Sequence, residues 1–369
     1  MIVGLLKEPA HETRVSLLAE AVAALTKKNI TVWVEGGAGD KAFCADADYT
    51  QAGAVIQSRK EILEKADICL SIHSPSAEEV SALGSRVLIG VFQPLFHIDE
   101  MKKWAASGVT SFSLDMLPRS TRAQAMDVLS SQANIAGYKA VLTAATLYPR
   151  YFPMFMTAAG SIKPAKVLIL GAGVAGLQAI ATAKRLGAVV EVFDTRPAVK
   201  EEVMSLGAKF IEVEGAADAS KAGGYAVDQS EEYKQKQQQR IAESIAKADI
   251  VITTAQIPGK KAPVLISEEM LRSMRPGSVV VDLAAATGGN TPFTRNNETI
   301  SVNGVSIVGD SSLQSTAPSD ASKVYGKNVL NFLQLITGKE GQLQLNWEDE
   351  LVKGCCITYN GSVVHERVQ

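Results

Sequence analysis

The sequence contains few of the residues from which metal centres and disulfide scaffolds are built. Only 4 of its 369 residues are cysteine and 4 are histidine. Cys44, Cys69, Cys355 and Cys356 have neither metal-ligand spacing nor the density of a disulfide framework, so we expect free thiols in a reducing compartment. The histidines, at positions 11, 73, 97 and 365, have no metal or catalytic-triad spacing. We therefore expect no metal site, and each histidine at the surface or at a strand end.

The chain also lacks an excess of charge and a long apolar run. Its 37 basic and 39 acidic residues leave a net charge of −2, which gives no electrostatic reason to expect nucleic acid or an acidic membrane surface as the main partner. Residues 140–160 are the most apolar long stretch, but Pro149, Arg150 and Pro153 interrupt them. We expect no transmembrane segment, and we interpret the N-terminus as a first strand rather than a signal peptide.

A glycine-rich turn in the middle of the chain is its most informative feature. Gly171-Ala172-Gly173-Val174-Ala175-Gly176 follows the apolar run 167–170 and precedes an amphipathic run to residue 187. This order predicts a strand, a tight turn and a helix. Gly171 would allow the turn, Gly173 would let backbone N–H groups approach a pyrophosphate, and Gly176 would let helix and strand pack closely. The motif therefore predicts a bound dinucleotide.

An acidic residue follows at the distance that this type of site requires. The apolar run 189–193 ends at Asp194, about twenty residues beyond the turn, where a carboxylate can bind a ribose hydroxyl. Arg196 could accept a 2′-phosphate, but Asp194 would repel that phosphate. We therefore predict NAD rather than NADP, with Arg196 as a ribose or adenine neighbour.

Short apolar runs alternate with amphipathic stretches along the whole chain. The first series of expected strands is 2–6, 30–34, 68–72, 87–91 and 109–112, and the second is 167–170, 189–193, 209–213, 250–253, 279–283 and 305–308. Six strands would complete the second sheet. The pattern predicts an α/β fold of two Rossmann-like, doubly wound domains with a cofactor cleft between them.

Two expected helices, at about 124–148 and 324–335, would connect the domains, and a last strand at 354–358 would return to the first domain. The N-terminal domain would then comprise residues 1–134 and 319–369, and the NAD-binding domain residues 135–318. The polar segment at about 214–239, which contains Gly223-Gly224-Tyr225, is either an exposed insertion or a mobile loop that closes over the nucleotide.

The segment 118–138 is rich in polar donors and acceptors. Arg119, Gln124 and Ser130 could fix the carboxamide of a nicotinamide ring, and Asp127 could hold Arg119 as a charged partner. We expect helical spacing from Gln124 onward. The alternative is a capped helix N-terminus with a surface ion pair. Nothing in this segment resembles a proton-transferring group for a hydroxy-acid or amino-acid substrate.

Together these motifs resemble one family over nearly the whole chain, the NAD(H)-binding domain of proton-translocating nicotinamide nucleotide transhydrogenase. The segment Arg119-Ser120-Thr121-Arg122-Ala123-Gln124-Ala125-Met126-Asp127-Val128-Leu129-Ser130-Ser131 is the most specific part of the resemblance. The other matching segments are Lys7-Glu8, 11–15, 157–160, 171–185, 194–197, 223–226, 253–255, 257–260, 277–284 and 288–290.

The resemblance implies a peripheral α-type subunit that binds NADH and passes hydride to NADP⁺ on a partner domain, while a membrane domain couples this step to proton movement. It implies a homodimer, for which the apolar residues 152–156 are candidates, and a cytoplasmic location at the inner membrane through partner subunits. The residues implied around the nicotinamide are Arg119, Gln124, Asp127 and Ser130. Those implied around the phosphates and the adenosine ribose are Val174, Asp194, Thr195 and Arg196, with Tyr225 as the mobile-loop tyrosine and Gly224, Gln237 and Gln256 as lesser neighbours.

The chain departs from this family pattern at two places. Gln256 replaces an apolar residue that is usual in the segment, which puts its role in doubt. Residues 309–317 lack the arginine that usually follows a proline there, so contacts from that loop cannot be assumed.

Two other functions remain open. Alanine dehydrogenases share the Lys-Glu and Glu-x-Arg-Val pattern near the N-terminus, but this chain has Ser71-Ile72-His73-Ser74-Pro75 where that family is expected to have a lysine-rich segment. It also has Gln93 near the position of the expected catalytic histidine, so it lacks the groups that would bind a keto acid and move its protons. A non-catalytic NAD sensor would keep Asp194 and the glycine turn but would not need the polar Arg119–Ser130 segment.

Overall fold

The structure is a computed structural model, and it describes residues 1–213, 215 and 230–369. The chain divides into two compact units. One comprises Met1–Gln132 and Ser315–Gln369, and the other comprises Ala133–Gln314. Tyr225 and Gly224, predicted in a mobile loop, lie outside the described residues.

The described residues of the first unit form an eight-stranded sheet in the order β17-β16-β6-β5-β4-β1-β2-β3. The strands β1 to β6 are parallel, and β16 and β17 add an antiparallel edge next to β6. Strands β4 and β5 are buried along their whole length, as expected where helices cover both faces of a parallel sheet. The strands are β1 (Ile2–Leu5), β2 (Thr31–Glu35), β3 (Val55–Gln57), β4 (Ile68–Leu70), β5 (Val87–Gly90), β6 (Thr110–Ser113), β16 (Cys356–Tyr359) and β17 (Ser362–Val363).

Local sequence signals explain where several helices of this unit begin. Ser76 caps α4 in a capping box with Glu79, and Ser58 caps α3. The helices assigned to this unit are α1 (Ala19–Thr26), α2 (Asp46–Gln51), α3 (Arg59–Lys65), α4 (Ala77–Leu83), α5 (Ile98–Ala106), α11 (Pro318–Leu335) and α12 (Glu350–Cys355). The division between the units at residue 132 falls within α6 (Val128–Leu147).

The described residues of the second unit form a seven-stranded sheet in the order β11-β10-β9-β12-β13-β15-β14. All its strands are parallel except β14, which pairs antiparallel with β15. A separate hairpin pairs β7 with β8. The strands are β7 (Phe155–Thr157), β8 (Gly160–Ile162), β9 (Lys166–Leu170), β10 (Val189–Phe193), β11 (Lys209–Phe210), β12 (Ile250–Thr253), β13 (Val279–Asp282), β14 (Thr299–Val302) and β15 (Val305–Val308), and the remaining helices are α7 (Val174–Arg185), α8 (Lys200–Ser205), α9 (Glu231–Ile245) and α10 (Glu268–Ser273).

The predicted α/β class with two doubly wound domains is confirmed, and several details are corrected. The second sheet has seven strands rather than six, because β14 forms an antiparallel edge. β3, β17 and the β7-β8 hairpin were not expected, and other predicted strands differ by one or more residues at their ends. The chain does not enter an α-helix at Gln124. A 3₁₀ turn spans Thr121–Met126, and α6 begins only after Asp127, whose ψ of 89° interrupts the helical path.

Candidate functional site

The glycine turn joins β9 to α7 in the second unit as the motif predicts. Gly171 has a φ of +106°, which favours glycine, and its N–H donates to the carbonyl of Phe193 at 2.8 Å. A Cβ placed on Gly176 would lie 1.9 Å from the carbonyl oxygen of Gly171. The start of the helix and the turn therefore pack directly against each other, and this contact explains the first and third glycines of the motif.

Gly173 is a glycine for another reason. It is the N-cap of α7 with a φ of −76°, a conformation that any residue can adopt. A Cβ built on it would meet no atom within 4 Å. The first turn of a helix leaves backbone N–H groups without intrahelical partners and carries the positive end of the helix dipole. This open space beside free donors fits the pyrophosphate of a dinucleotide.

Asp194, which follows β10, is tied to the same turn. Its Oδ2 accepts the backbone N–H of Ala172 at 2.7 Å, and its Oδ1 accepts the backbone N–H of Arg196 at 2.8 Å. The guanidinium of Arg196 adds Nε to Oδ1 at 2.9 Å and Nη2 to Oδ2 at 2.7 Å. The hydrogen bond to Asp194 raises the pKa of Arg196 above its ordinary value. The predicted ribose acceptor therefore has an internal cation on it in this structure.

The other predicted nucleotide neighbours of this unit lie on several elements. Val174 is the first residue of α7 and is 38% exposed, and Thr195 is half-buried beside Asp194. Gln256, after β12, donates from Nε2 to the carbonyl of Leu283 at 2.8 Å. Gln237 is half-buried on α9.

Tyr233 on α9 is a residue that the sequence interpretation did not single out. Its side chain is buried, and burial together with the charge of Asp194 raises its pKa. The polar sequence of this segment hid the tyrosine, because only the folded helix shows which of its faces is covered.

The predicted nicotinamide segment lies in the first unit. Arg119 and Gln124 are exposed, whereas Ala123 and Met126 anchor the 3₁₀ turn in the core. The carbonyl of Ala125 accepts two side-chain amides from α11, those of Asn328 at 2.9 Å and Asn331 at 2.8 Å. The position of this turn is therefore set by α11.

Asp127 and Ser130 form the N-terminal cap of α6. Asp127 Oδ1 accepts the backbone N–H of Ser130 at 2.9 Å, and its Oδ2 accepts the Ser130 hydroxyl at 2.6 Å. The sequence predicts that Asp127 holds Arg119, and the structure shows both of its carboxylate oxygens engaged by Ser130. Because the hydroxyl and the carboxylate are fixed together, this pair presents a defined arrangement of one donor and several acceptor positions.

A charged cluster lies near the carboxyl ends of the neighbouring strands β1 and β4. Glu12 and Arg14 are both buried and form an ion pair of 2.6 Å, and Nε2 of His73 lies 2.8 Å from Glu12 Oε2. Burial opposes ionisation of Glu12, but the hydrogen bonds from Arg14 and His73 outweigh it and hold the pKa of this carboxyl well below its usual range. His73 follows a strand, as predicted, but its side chain belongs to this cluster, which the sequence interpretation missed.

Glu8 lies beside this cluster in the same unit. It is 8% exposed and accepts the backbone N–H groups of Ile72 at 2.6 Å and His73 at 3.1 Å. Burial raises the pKa of Glu8 to about 7 despite these two donors. Among the described residues, no group of three or more His, Cys, Asp or Glu side chains is placed to hold a metal ion.

A search for membrane-spanning helices was also negative. Within residues 1–213, 215 and 230–369, every helix is too short or too polar to cross a bilayer.

Both units match known families. Residues 4–136 match the family described as "Alanine dehydrogenase/PNT, N-terminal domain", and residues 140–366 match "Alanine dehydrogenase/PNT, C-terminal domain". The chain is 44% identical to the first of the polypeptides that make up NAD(P) transhydrogenase subunit alpha of Rhodospirillum rubrum, over 96% of this chain and 95% of that one. It is 40% identical to NAD(P) transhydrogenase subunit alpha of Haemophilus influenzae, over 99% of this chain and 72% of that one.

Solved structures show the same relationship. The structure of a transhydrogenase from Sinorhizobium meliloti superposes with a TM-score of 0.90 at 46% identity, covering 99% of this chain and all of that one. An L-alanine dehydrogenase superposes with a TM-score of 0.83 at 25% identity, covering all of this chain and 98% of that one. The chain therefore belongs to the alanine dehydrogenase/PNT family of nicotinamide-nucleotide oxidoreductases and, within it, to the NAD(P) transhydrogenase alpha subunits.

Proposed function

We propose that this chain is the NAD(H)-binding subunit of a proton-translocating transhydrogenase. It would bind NADH and pass hydride to NADP⁺ held on a partner domain, and a membrane domain would couple this step to proton translocation. The observation that carries the proposal is the open Cβ position of Gly173 at the N-terminus of α7, beside backbone donors that suit a pyrophosphate. The 40–44% identity to transhydrogenase alpha subunits supports the choice of reaction.

The preference for NAD(H) follows from Asp194. A carboxylate offers about four acceptor positions, and Asp194 already accepts four hydrogen bonds from Ala172 and Arg196. The Ala172 donor belongs to the turn and stays, so a ribose hydroxyl would replace the Arg196 guanidinium. Arg196 would then become a neighbour of the ribose. Val174 and Thr195 would contact the phosphates and ribose, with Gly224, Tyr225, Gln237 and Gln256 as further neighbours.

Arg119, Gln124, Asp127 and Ser130 would orient the nicotinamide. The hydride chemistry belongs to the nicotinamide ring when NADH is bound. These four residues supply cationic, amide, carboxylate and hydroxyl groups that can fix a carboxamide in one orientation. Transfer between two nicotinamide rings moves no proton, so this segment needs to position and not to act as an acid or base.

The partners are included in the proposal. The chain would lie in the cytoplasm at the inner membrane, held there by the NADP(H)-binding and membrane domains of the transhydrogenase. We also propose a homodimer formed through the β7-β8 hairpin, where Met154 is 64% and Met156 73% exposed. Replacing both methionines with serine should convert the dimer to a monomer in sedimentation velocity, and a wild-type chain that is already monomeric would contradict the homodimer.

The decisive experiment is hydride transfer from NADH to an oxidised NADP analogue, followed by absorbance. The purified chain would be assayed alone and then with the NADP(H)-binding domain of a transhydrogenase. We expect transfer only when that domain is present.

The same preparation distinguishes the two alternatives. Oxidation of NADH in the presence of pyruvate and ammonium would indicate an alanine dehydrogenase. Tight NADH binding with no transfer under any of these conditions would indicate a non-catalytic sensor, and either result would overturn the transhydrogenase proposal.

A further inference from the structure

A buried polar connection runs from the loop after β1 to the first turns of α6. Arg14 is 7% exposed, and each of its side-chain nitrogens has a partner. Nε and Nη2 bind the two oxygens of Glu12 at 2.9 and 2.6 Å, and Nη1 binds Oε1 of Gln132 at 2.8 Å. Because its donors face protein groups on all sides, Arg14 is arranged to hold a neighbour rather than a ligand.

We propose that Gln132, held by the Glu12–Arg14 pair, is a positioning residue that fixes the Asp127–Ser130 cap for hydride transfer. This inference rests on the function proposed above, because that function gives the cap its role toward the nicotinamide. Glu12, Arg14 and Gln132 do not belong to the set that is proposed to touch the nucleotide.

The side-chain amide of Gln132 has one satisfied orientation. Its Oε1 faces the Arg14 donor, and its Nε2 donates to the carbonyl of Ala321 on α11 at 3.1 Å and to the Ser131 hydroxyl at 3.3 Å. Exchanging oxygen and nitrogen would place donors against donors at Arg14 and an acceptor against the Ala321 carbonyl. Gln132 therefore connects α6 to both the N-terminal loop and α11 in a single geometry.

The N-terminal loop is itself fixed to residues at and near the start of α11. The backbone N–H of Val15 donates to the Ser322 hydroxyl at 3.0 Å, and the Ser315 hydroxyl donates to Glu12 Oε1 at 2.8 Å. Together with the two asparagine contacts to Ala125, these bonds hold the segment 125–132 at both ends. The cap between these ends can neither slide nor rotate without breaking buried hydrogen bonds.

The energetics favour a role in geometry over one in stability. A buried arginine–glutamate pair loses solvation that its mutual attraction only partly restores, so it contributes little net stability. It does impose direction, because the planar guanidinium meets Glu12 and Gln132 in fixed directions. Gln132 lies two residues beyond Ser130 on the same helix, so fixing its amide also fixes the helix rotation that aims the Ser130 hydroxyl. A shift of about 1 Å in a positioning group can lower a rate by about 100-fold.

The test compares Gln132→Leu with Thr358→Val, using the full chain together with the NADP(H)-binding domain. Thr358 provides a matched control because it donates a buried hydrogen bond to the Val109 carbonyl at 2.7 Å elsewhere in the same unit. We expect Gln132→Leu to slow single-turnover hydride transfer by 10- to 100-fold, with NADH affinity changed less than threefold and a larger deuterium isotope effect. Thr358→Val should lower the melting temperature and leave the rate per bound NADH unchanged.

A second variant tests the connection itself. Arg14→Lys keeps the charge on Glu12 but cannot reach Glu12 and Gln132 with one planar group. If Arg14 acts through Gln132, the double variant should be no slower than the slower single variant. Multiplied losses of rate would show that the two residues act separately and would overturn the proposal.

Hydrogen exchange provides a readout that does not depend on activity. In Gln132→Leu, the peptide covering residues 125–135 should exchange faster, whereas Thr358→Val should leave its exchange as in the wild type. Unchanged exchange in Gln132→Leu overturns the positioning role, whether or not hydride transfer occurs. Absence of transfer in the wild type would instead count against the proposed function, so the two failures are distinguishable.

Discussion

Asp194 at the end of β10 accepts the backbone N–H of Ala172 at 2.7 Å and so holds the glycine turn at the end of the neighbouring strand β9. The carboxylate thereby has two tasks, because it fixes the turn and is also the proposed acceptor for the ribose. A substitution should remove both contributions at once.

We expect Asp194→Ala to weaken NADH binding by roughly 1.5–3 kcal/mol, the range for a hydrogen bond that involves a charged group. Titration calorimetry would measure the change. Glu191→Gln is a suitable control, because Glu191 lies on the same strand in an exposed pair with Lys209. Unchanged affinity in Asp194→Ala would place the ribose contact elsewhere.

Gly173 and Gly176 should respond to alanine in opposite ways. A Cβ on Gly173 meets no protein atom, so Gly173→Ala should fold with an unchanged melting temperature. The same methyl group would occupy the space proposed for the pyrophosphate, and we expect NADH to bind at least tenfold more weakly.

Gly176→Ala serves as the structural counterpart. Its Cβ would lie 1.9 Å from the Gly171 carbonyl, so the turn or the helix must move and stability should fall. Calorimetric melting and NADH titration of both variants would separate the effects. Normal NADH affinity in Gly173→Ala would remove the main support for the phosphate site.

The sequence indicated the elements of this site better than the contacts between them. β10 and β12 were predicted at their observed limits, because each is a short apolar run buried in a parallel sheet. β3 and β14 were missed because they are short and partly exposed, so their residues lack the apolar pattern of the other strands.

Contacts between distant segments could not be predicted in the same way. The glycine turn and Asp194 follow a spacing rule that is local in sequence. The association of Glu12 with His73 depends on β1 and β4 being neighbours in the sheet, and these residues are 61 positions apart. Similarly, the pairing of Asp127 with Ser130 depends on a helix start that the polar sequence did not reveal.

Asp127 and Arg119 should affect hydride transfer more than binding. Asp127→Asn keeps a cap for α6 but removes the charge that orders the Ser130 hydroxyl at 2.6 Å. We expect the single-turnover rate to fall at least tenfold, with NADH affinity within about threefold of the wild type. Arg119→Ala should behave in the same way. Stopped-flow transfer and calorimetric titration would be compared, and equal losses in both would contradict an orienting role.

Glu8 should make stability depend on pH. Its pKa in the folded chain is about 7, above the ordinary 4.5, so folding favours the protonated form. The stability contributed by this preference is fully present below about pH 4.5 and is lost as the pH rises through about 7. The difference of about 2.5 in pKa corresponds to about 3 kcal/mol at ~1.4 kcal/mol per pKa unit.

Glu8→Gln removes this titration while keeping the shape of the side chain. Between pH 4.5 and 8, the free energy of unfolding of the wild type should fall relative to the variant by up to about 3 kcal/mol. Urea unfolding at several pH values would measure this. Glu61→Gln is the control in the same unit, because hydrogen bonds from Ser58 hold the pKa of Glu61 below its usual value and keep it ionised over this range. A constant difference between wild type and Glu8→Gln would show that Glu8 is already ionised in the folded chain, with its two backbone donors outweighing the effect of burial.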